Sequence, residues 1–171
     1  MFLNLVAAIV GGLALAGVAM ALARTFRIPV PRWLYPVLIG IGMLGMNVYL
    51  EYSWYGRTLD GLPDRVAVLE TGAYSGPLQP WTLLAPRINR FTALDRASLR
   101  TNPAAENIVL AEIFYVGRLN ATVRTNQFID CEGQRTALAD DRVTFGEDGV
   151  PDGATWTDVE AGAPILAAAC P

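Results

Sequence analysis

Residues 107–131, NIVLAEIFYVGRLNATVRTNQFIDC, contain the two patterns that decide the fold of the larger part of the chain. The first half, residues 107–119, is apolar at nearly every position, which is typical of a central strand covered on both faces. From residue 121 onward the side chains alternate, and one face carries Val123, Thr125, Gln127, Ile129 and Cys131. The two patterns predict neighbouring strands of one sheet.

The sequence after this pair predicts further strands and a helix. Glu132 and Gly133 form a turn signal, and residues 135–139, RTALA, return as the second strand of a hairpin. Residues 142–145, RVTF, form another short strand, and residues 157–170 end in a short helix with Pro164 in its first turn. We therefore predict an α+β domain, an antiparallel sheet with a short C-terminal helix.

The segment before this sheet gives weaker signals. Residues 66–70, VAVLE, are a strand candidate, and residues 71–80 are interpreted as a loop from their composition. Residues 81–94, WTLLAPRINRFTAL, are ambiguous because Pro86 interrupts any helix. Their apolar side chains are expected either at a membrane surface or in the core.

The N-terminal part contains two uncharged apolar runs that are long enough to cross a bilayer. Residues 2–23 form a run of 22, and residues 33–50 form a run of 18. At about 1.5 Å per helical residue, these lengths suit a hydrocarbon core of about 30 Å. A cleaved signal peptide is the alternative for the first run, because Ala21-Leu22-Ala23 resembles a cleavage site. No basic residue precedes that run, which favours a span.

The arginines between the two runs orient the hairpin. Residues 24–32, RTFRIPVPR, hold Arg24, Arg27 and Arg32 and no acidic residue, whereas no charged side chain precedes the first run. Short Arg-rich loops stay in the cytoplasm. We therefore predict that both termini and the main domain lie in the periplasm of a bacterial inner membrane.

These signals divide the chain into two predicted parts. The first is a membrane α-helical hairpin with two transmembrane helices over residues 1–51. The second is a periplasmic α+β domain over residues 52–171, with residues 52–104 as its lead-in.

Two sets of residues on the predicted spans indicate contacts. Small residues allow helices to approach closely, and they recur at Ala8, Gly12, Ala16, Gly40, Gly42 and Gly45. They pack the two spans on each other or on another membrane protein. Aromatic residues and one arginine mark a membrane interface or a patch for a partner protein: Trp33, Tyr35, Tyr52, Trp54, Tyr55 and Arg57.

The composition excludes several kinds of catalytic chemistry. The 171-residue chain has no His, and all 13 of its basic residues are Arg. Ser-His, Cys-His and Ser-Lys pairs, imidazole metal ligands and Schiff-base lysines are therefore excluded. We predict that the protein is not an enzyme and has no cofactor and no metal site. Its net charge of −3 argues against nucleic acid or an anionic membrane surface as a partner.

The two cysteines, Cys131 and Cys170, lie outside the cytoplasm in this topology. Their even number, the oxidising compartment and the lack of a C-x-x-C motif predict a structural disulfide. The alternatives are a metal pair or a reactive thiol, for which the chain offers no third Cys, His or Lys.

Acidic residues in the domain offer two further candidates. Asp140, Asp141, Glu147, Asp148 and Asp152 are interpreted as a solvated loop, because the spacing of a calcium loop is absent. Glu106, Glu112 and Asp130 could be imagined as acid and base. We expect instead that Glu112, within an apolar strand, pairs with Arg124 or Arg118.

Residues near the C-terminus form an ordered pattern of an aromatic-x-Asp-Cys strand end, a turn with Arg, W-x-x-V-x-x-G and a final helix ending in Cys. They are Phe128, Asp130, Cys131, Arg135, Trp156, Val159, Gly162 and Cys170. This pattern, over about the last 65 residues, resembles the surface-adhesin protein E family. The resemblance implies a small antiparallel sheet whose two cysteines are bonded. The two spans depart from that family, whose adhesins are exported, and resemble only uncharacterised bacterial inner-membrane proteins.

The sequence therefore favours a non-enzymatic inner-membrane protein that serves as an accessory or assembly subunit of a larger membrane complex. Its expected partners are the lipid bilayer and other integral membrane subunits. The alternative is an anchored periplasmic module that binds a ligand or an envelope component through its sheet. A concave pocket with convergent polar groups would favour this alternative.

Overall fold

The computed structural model describes residues 2–146 and 148–170. They form two compact units, which meet in the chain between Thr58 and Leu59. The first unit contains helices α1 (Phe2–Thr25) and α2 (Leu34–Asp60). Both helices are long and apolar enough to cross a membrane. Helix α2 continues ten residues beyond the predicted apolar run because residues 51–60 contain no proline to end it.

Glycines form the contact between α1 and α2. A Cβ placed on Gly12 would lie 2.7 Å from the Ile39 carbonyl oxygen, and one on Gly42 would lie 2.8 Å from Gly12 Cα. Ala16 is buried in the same unit. Side chains at these glycines would collide with backbone, so the helices approach as closely as they do only because the side chains are absent.

The second unit is built on an antiparallel sheet. Its strands occur in the spatial order β1-β2-β4-β5-β6-β9, with β3 beside β4, and a separate pair is formed by β7 and β8. The strands are β1 (Val66–Tyr74), β2 (Arg87–Asp95), β3 (Arg100–Asn102), β4 (Ala105–Gly117), β5 (Val123–Asp130), β6 (Arg135–Leu138), β7 (Thr144–Phe145), β8 (Pro151–Asp152) and β9 (Trp156–Asp158). Two short helices complete it, α3 (Trp81–Leu84) and α4 (Pro164–Ala169).

The predicted antiparallel sheet and short terminal helix are confirmed, and β4, β5, β6 and β7 lie in the predicted strand segments. No strand was predicted at β8 or β9, whose residues had the composition of a polar, Gly-rich loop. The predictions for residues 71–94 were incomplete. Strand β1 runs on to Tyr74, through residues interpreted as loop, and β2 lies in the middle of the sheet rather than in a lead-in. Pro86 directly precedes β2, a position where a missing N–H removes no ladder hydrogen bond.

Both faces of the sheet carry a core. On one face, helix α4 packs Leu166 and Ala169 against a cluster that includes Leu94, Ile113 and Ile129. On the opposite face, a second cluster contains Ala105, Ile108 and Phe128, with Val150 and Trp156 packed against it. Because α4 has six residues, it covers only part of its face.

Candidate functional site

The C-terminal segment is fastened to the sheet by its cysteines. The structure bonds Cys131, which follows β5, to Cys170, which follows α4, with a Cα–Cα distance of 5.8 Å. This agrees with the predicted pairing. Neither sulfur is a free thiol, so neither has the form that would act as a nucleophile or a metal ligand.

Asp130 is the centre of a structural cluster beside this disulfide. Its buried carboxylate accepts hydrogen bonds from the Gly133 N–H at 2.9 Å and from Arg135 Nε at 2.8 Å. Burial acts to raise the pKa of Asp130, but these two groups outweigh it, and the pKa lies below its ordinary value. The Arg135 guanidinium also lies 4.7 Å from the Trp156 ring centroid. These residues of the C-terminal pattern hold the hairpin to β9.

Four of the other carboxylates singled out in the sequence have local partners. Glu112 lies 3.7 Å from Arg124, which is one of the two expected pairings. Asp140, Asp148 and Asp152 each accept a hydrogen bond from a backbone N–H of their own loop, at 3.0, 3.1 and 2.8 Å. Glu147 lies outside the described residues. Within the described ranges, no group of three or more potential metal ligands is found.

The predicted membrane-interface residues lie mainly in α2. Trp33 precedes the helix and is exposed, and Tyr35 is in its first turn. The last third of α2 carries Tyr52, Trp54, Tyr55 and Arg57. The guanidinium of Arg57 donates to the carbonyls of Ser53 at 3.3 Å and Leu50 at 3.5 Å.

The predicted topology arginines and the helix-packing residues are also in the first unit. Arg24 is in the last turn of α1, and Arg27 adopts a left-handed backbone with φ of 53° in the turn that follows. Arg32 lies in the same connection, just before α2.

The small residues predicted for helix packing divide into two groups. Gly12, Ala16 and Gly42 lie in the contact between α1 and α2, and Ala8 is half-buried. A Cβ on Gly40 or Gly45 would meet no atom of the described chain within 4 Å. These two glycines therefore do not pack α1 against α2.

A groove lies on the part of the sheet that α4 leaves uncovered, and sequence reasoning missed it. Its floor has two cross-strand rows on one face of the sheet. One row is Gly72, Arg90 and Gly117, and the other contains Glu70, Thr92, Tyr115 and Val123. The absent side chain of Gly72 makes room for the Arg90 side chain, which lies across that position. The resulting groove has a volume of about 540 Å³, within the range of small-molecule sites.

Two opposite charges face this groove. Within residues 2–146 and 148–170, neither Glu70 nor Arg90 lies within ion-pair distance of an opposite charge. The Arg90 side chain lies over the backbone of Gly72, where an added Cβ would be 2.5 Å from Arg90 Cγ. The Tyr115 hydroxyl accepts a hydrogen bond from Gln127 Nε2 at 3.0 Å, which leaves the hydroxyl proton free to donate.

A smaller cavity continues the groove toward α4. It has a volume of about 230 Å³ and shares Glu70, Thr92 and Tyr115 with the groove. Apart from Gln127, its other walls are apolar and include Ile113 and Ile165. The combined site therefore offers an apolar end beneath α4 and a charged end at Arg90.

Comparisons with known proteins found no match to this chain among family models, curated proteins or solved structures.

Proposed function

We propose that this protein is a non-enzymatic recognition module, anchored in a bacterial inner membrane by its helical hairpin and displaying its sheet domain in the periplasm. The observation that carries the proposal is the groove beside Arg90. It is concave, it is lined by polar groups that converge on one space, and its two charged side chains have no partners in the described chain. A concave space with convergent polar groups is typical of a ligand-binding site, whereas a flat sheet face covered by its own side chains offers no such space.

The groove chemistry defines the ligand. A guanidinium binds a carboxylate or phosphate, and a carboxylate binds an ammonium group. Glu70 and Arg90 face the same space, so the complementary ligand carries both charges. We propose a zwitterionic small molecule or short peptide whose apolar part extends toward Ile165.

Two features support the anchoring. Both N-terminal helices have the length and apolarity of a span, and their many large exposed side chains, such as Leu13 and Leu44, need an apolar surrounding. The disulfide between Cys131 and Cys170 fits an oxidising compartment. With the Arg-rich connection on the cytoplasmic side, the sheet domain faces that compartment.

Site-specific photo-crosslinking in the native host tests the groove. A photoreactive residue replaces Val123, which lines the groove, or Leu138, which has similar exposure and does not line it. We expect a small-molecule or peptide adduct at position 123 and none at position 138. The adduct should be lost when Arg90→Ala is added. Equal adducts at both positions, or an adduct insensitive to Arg90→Ala, contradict the proposal.

An accessory subunit of a larger membrane complex is the second candidate. The open space beside Gly40 and Gly45 favours it, because a second helix can approach closely at such positions. Extraction in mild detergent should then co-purify an integral membrane protein. Gly40→Leu with Gly45→Leu should release that protein, and migration of the unmodified chain alone would contradict this candidate.

A further inference from the structure

A separate cavity lies on the face of the sheet opposite the groove. It is formed by β3, β4, β5 and the β7–β8 pair, and it has a volume of about 230 Å³. Leu110 and Phe128 are paired across β4 and β5 in its floor. Leu110 lies an odd number of residues from Ile113, which belongs to the cluster under α4, so the two side chains point to opposite sides of the sheet. None of the described residues lines both this cavity and the groove.

Aromatic side chains form one wall of this cavity. Phe145 in β7 packs edge-on against Phe128, with ring centroids 5.9 Å apart and ring planes at 84°. Phe128 is only 5% exposed, whereas Phe145 is 62% exposed, so much of the outer ring remains available for a further contact. Phe145 is held in place by its pairing with Pro151 and by the Gly146 N–H, which donates to the Val150 carbonyl at 3.1 Å. An ordered aromatic ring beside an apolar floor favours an apolar group as the ligand.

The rim of the cavity carries one charge, that of Arg100. This residue begins β3 and is paired with Leu110 of the floor. Arg100 is exposed, and within residues 2–146 and 148–170 its guanidinium forms no ion pair or hydrogen bond. No acidic residue is among the described residues that line the cavity, and Asp148 in the neighbouring turn accepts a hydrogen bond from the Val150 N–H. A guanidinium at the mouth of an apolar cavity favours a ligand with an anionic group.

The turns on the two sides of the cavity contact each other at Gly149. This glycine has a φ of 73°, and an added Cβ would collide with the side-chain amide of Asn102. The Asn102 Oδ1 also accepts a hydrogen bond from the Ala104 N–H at 3.1 Å. The rim beside Arg100 is therefore ordered by contacts within the protein, which lowers the entropic cost of binding a ligand there.

We propose that this cavity binds a small organic monocarboxylate whose apolar part is a single aromatic ring or a branched alkyl group. The apolar part packs on Phe128 and Phe145, and the Arg100 guanidinium binds the carboxylate. The cavity is smaller than the sites of drug-sized ligands, which have volumes of about 300–1,000 Å³, so a compact acid fits better than a long acyl chain. The proposal depends neither on the ligand of the groove nor on the membrane anchoring.

Fluorine NMR titration with 4-fluorophenylacetate tests this site, using the full chain in phosphatidylcholine nanodiscs. The second probe, 4-fluorophenylacetamide, has the same ring and lacks the charge, and protein-free nanodiscs correct for partition of either probe into lipid. Arg100→Gln removes the charge at the rim, and Phe145→Ala removes the exposed ring. Arg96→Gln is the matched control, because Arg96 is also an exposed arginine of the sheet domain and does not line the cavity.

We expect the unmodified protein to bind the acid about threefold to fivefold more tightly than the amide, as a solvent-exposed ion pair would provide. Arg100→Gln should bind the two probes with equal affinity, Phe145→Ala should weaken the binding of both, and Arg96→Gln should change neither. Because Arg100 is exposed, its variant keeps the fold, and the comparison of the two probes does not depend on the stability of Phe145→Ala.

Three results overturn the inference. They are the absence of binding, equal affinities of the unmodified protein for the acid and the amide, and a preference for the acid that persists in Arg100→Gln. Loss of binding in Arg90→Ala together with unchanged binding in Phe145→Ala would place the probe in the groove, and this result also contradicts the proposed site.

Discussion

Two buried polar side chains in the sheet domain are hydrogen-bonded to the backbone. Asp130 and Thr82 are the two buried polar residues among those the structure describes, and each has hydrogen-bond partners from the backbone. A buried polar group that loses its partner retains its desolvation penalty. Substitutions at these two positions should therefore cost more stability than their size indicates.

Asp130→Asn should reduce the dependence of folding stability on pH in the acidic range. The pKa of Asp130 is lowered in the folded state, so its stabilising contribution is present above the unfolded-state pKa of about 4 and is lost as pH falls through the lower folded value. At neutral pH we expect a loss of about 2 kcal/mol, because the Arg135 side chain loses a charged partner.

Thermal unfolding followed between neutral and acidic pH checks this prediction. The melting temperature of the unmodified protein should fall more on acidification than that of Asp130→Asn. Asp140→Asn is the matched control, because Asp140 is exposed and accepts only a backbone hydrogen bond in its own loop. A similar pH profile for the unmodified protein and Asp130→Asn would show that Asp130 does not supply the dependence.

Thr82→Val should make the loop between β1 and β2, residues 75–86, less ordered. The substitution keeps the shape and removes the hydroxyl that accepts from Gly76 N–H and donates to the Gln79 carbonyl. We expect a loss of about 1–2 kcal/mol and faster amide hydrogen exchange in residues 75–86. Thr82→Ser keeps the hydroxyl and should retain slow exchange. Unchanged exchange in Thr82→Val would mean that the loop is ordered by other contacts.

At the scale of elements, short helices and paired helices depend on tertiary contacts. Helix α4 has six residues and no side-chain cap, too few for a stable isolated helix. It is held by Leu166 and Ala169 in the core and by the disulfide that follows it. The α1–α2 contact similarly depends on Gly12 and Gly42 rather than on large interlocking side chains.

Replacing both cysteines with serine should destabilise the sheet domain and release α4. The disulfide closes a loop between residues 39 positions apart, for which loop entropy predicts about 4 kcal/mol. The denaturant midpoint should fall in Cys131→Ser/Cys170→Ser, and the unmodified protein should match it only when reductant is present. A midpoint unaffected by both treatments would indicate that core packing alone holds α4.

Alanine at two glycines of α2 should have opposite effects. At Gly42 the added Cβ would lie 2.8 Å from Gly12 Cα, whereas at Gly45 it meets no described atom within 4 Å. Helix propensity favours Ala over Gly by about 1 kcal/mol at either position. Gly42→Ala should therefore lower the melting temperature in detergent, while Gly45→Ala should raise it or leave it unchanged. Identical shifts for the two variants would contradict the glycine contact.

At the scale of the whole molecule, charge is distributed unevenly. The connection between the helices is purely basic, while the net charge of the chain is negative. We expect this asymmetry to orient the hairpin, with the basic connection in the cytoplasm.

Labelling with a membrane-impermeant maleimide should place the connection between α1 and α2 and the sheet domain on opposite sides of the membrane. A cysteine at exposed Phe26 should react only after permeabilisation, whereas one at exposed Glu160 should react in intact spheroplasts. The arginines of residues 24–32 are the physical reason. Labelling at position 26 without permeabilisation would reverse the predicted orientation.

The amino-acid sequence by itself determined the elements whose pattern is local. Uncharged runs gave the two helices, the apolar and alternating segments gave β4 and β5, and the two cysteines were predicted to pair. Strand β2 was not predicted, because Pro86 and a mixed pattern hid a segment that becomes buried only between β1 and β4. The extension of β1 through Gly72 was missed for a related reason, since Arg90 fills the place of its absent side chain.

Only the tertiary structure decided where the candidate sites are. Gly72, Arg90 and Gly117 form one row across three strands, and their pairing depends on register, which no local pattern encodes. The placement of Leu84 and Leu119 at one end of the sheet likewise depends on how β1, β2, β4 and β5 are ordered. Hydrophobic periodicity specifies which residues are buried, but a binding surface is the set of residues that pairing leaves exposed together.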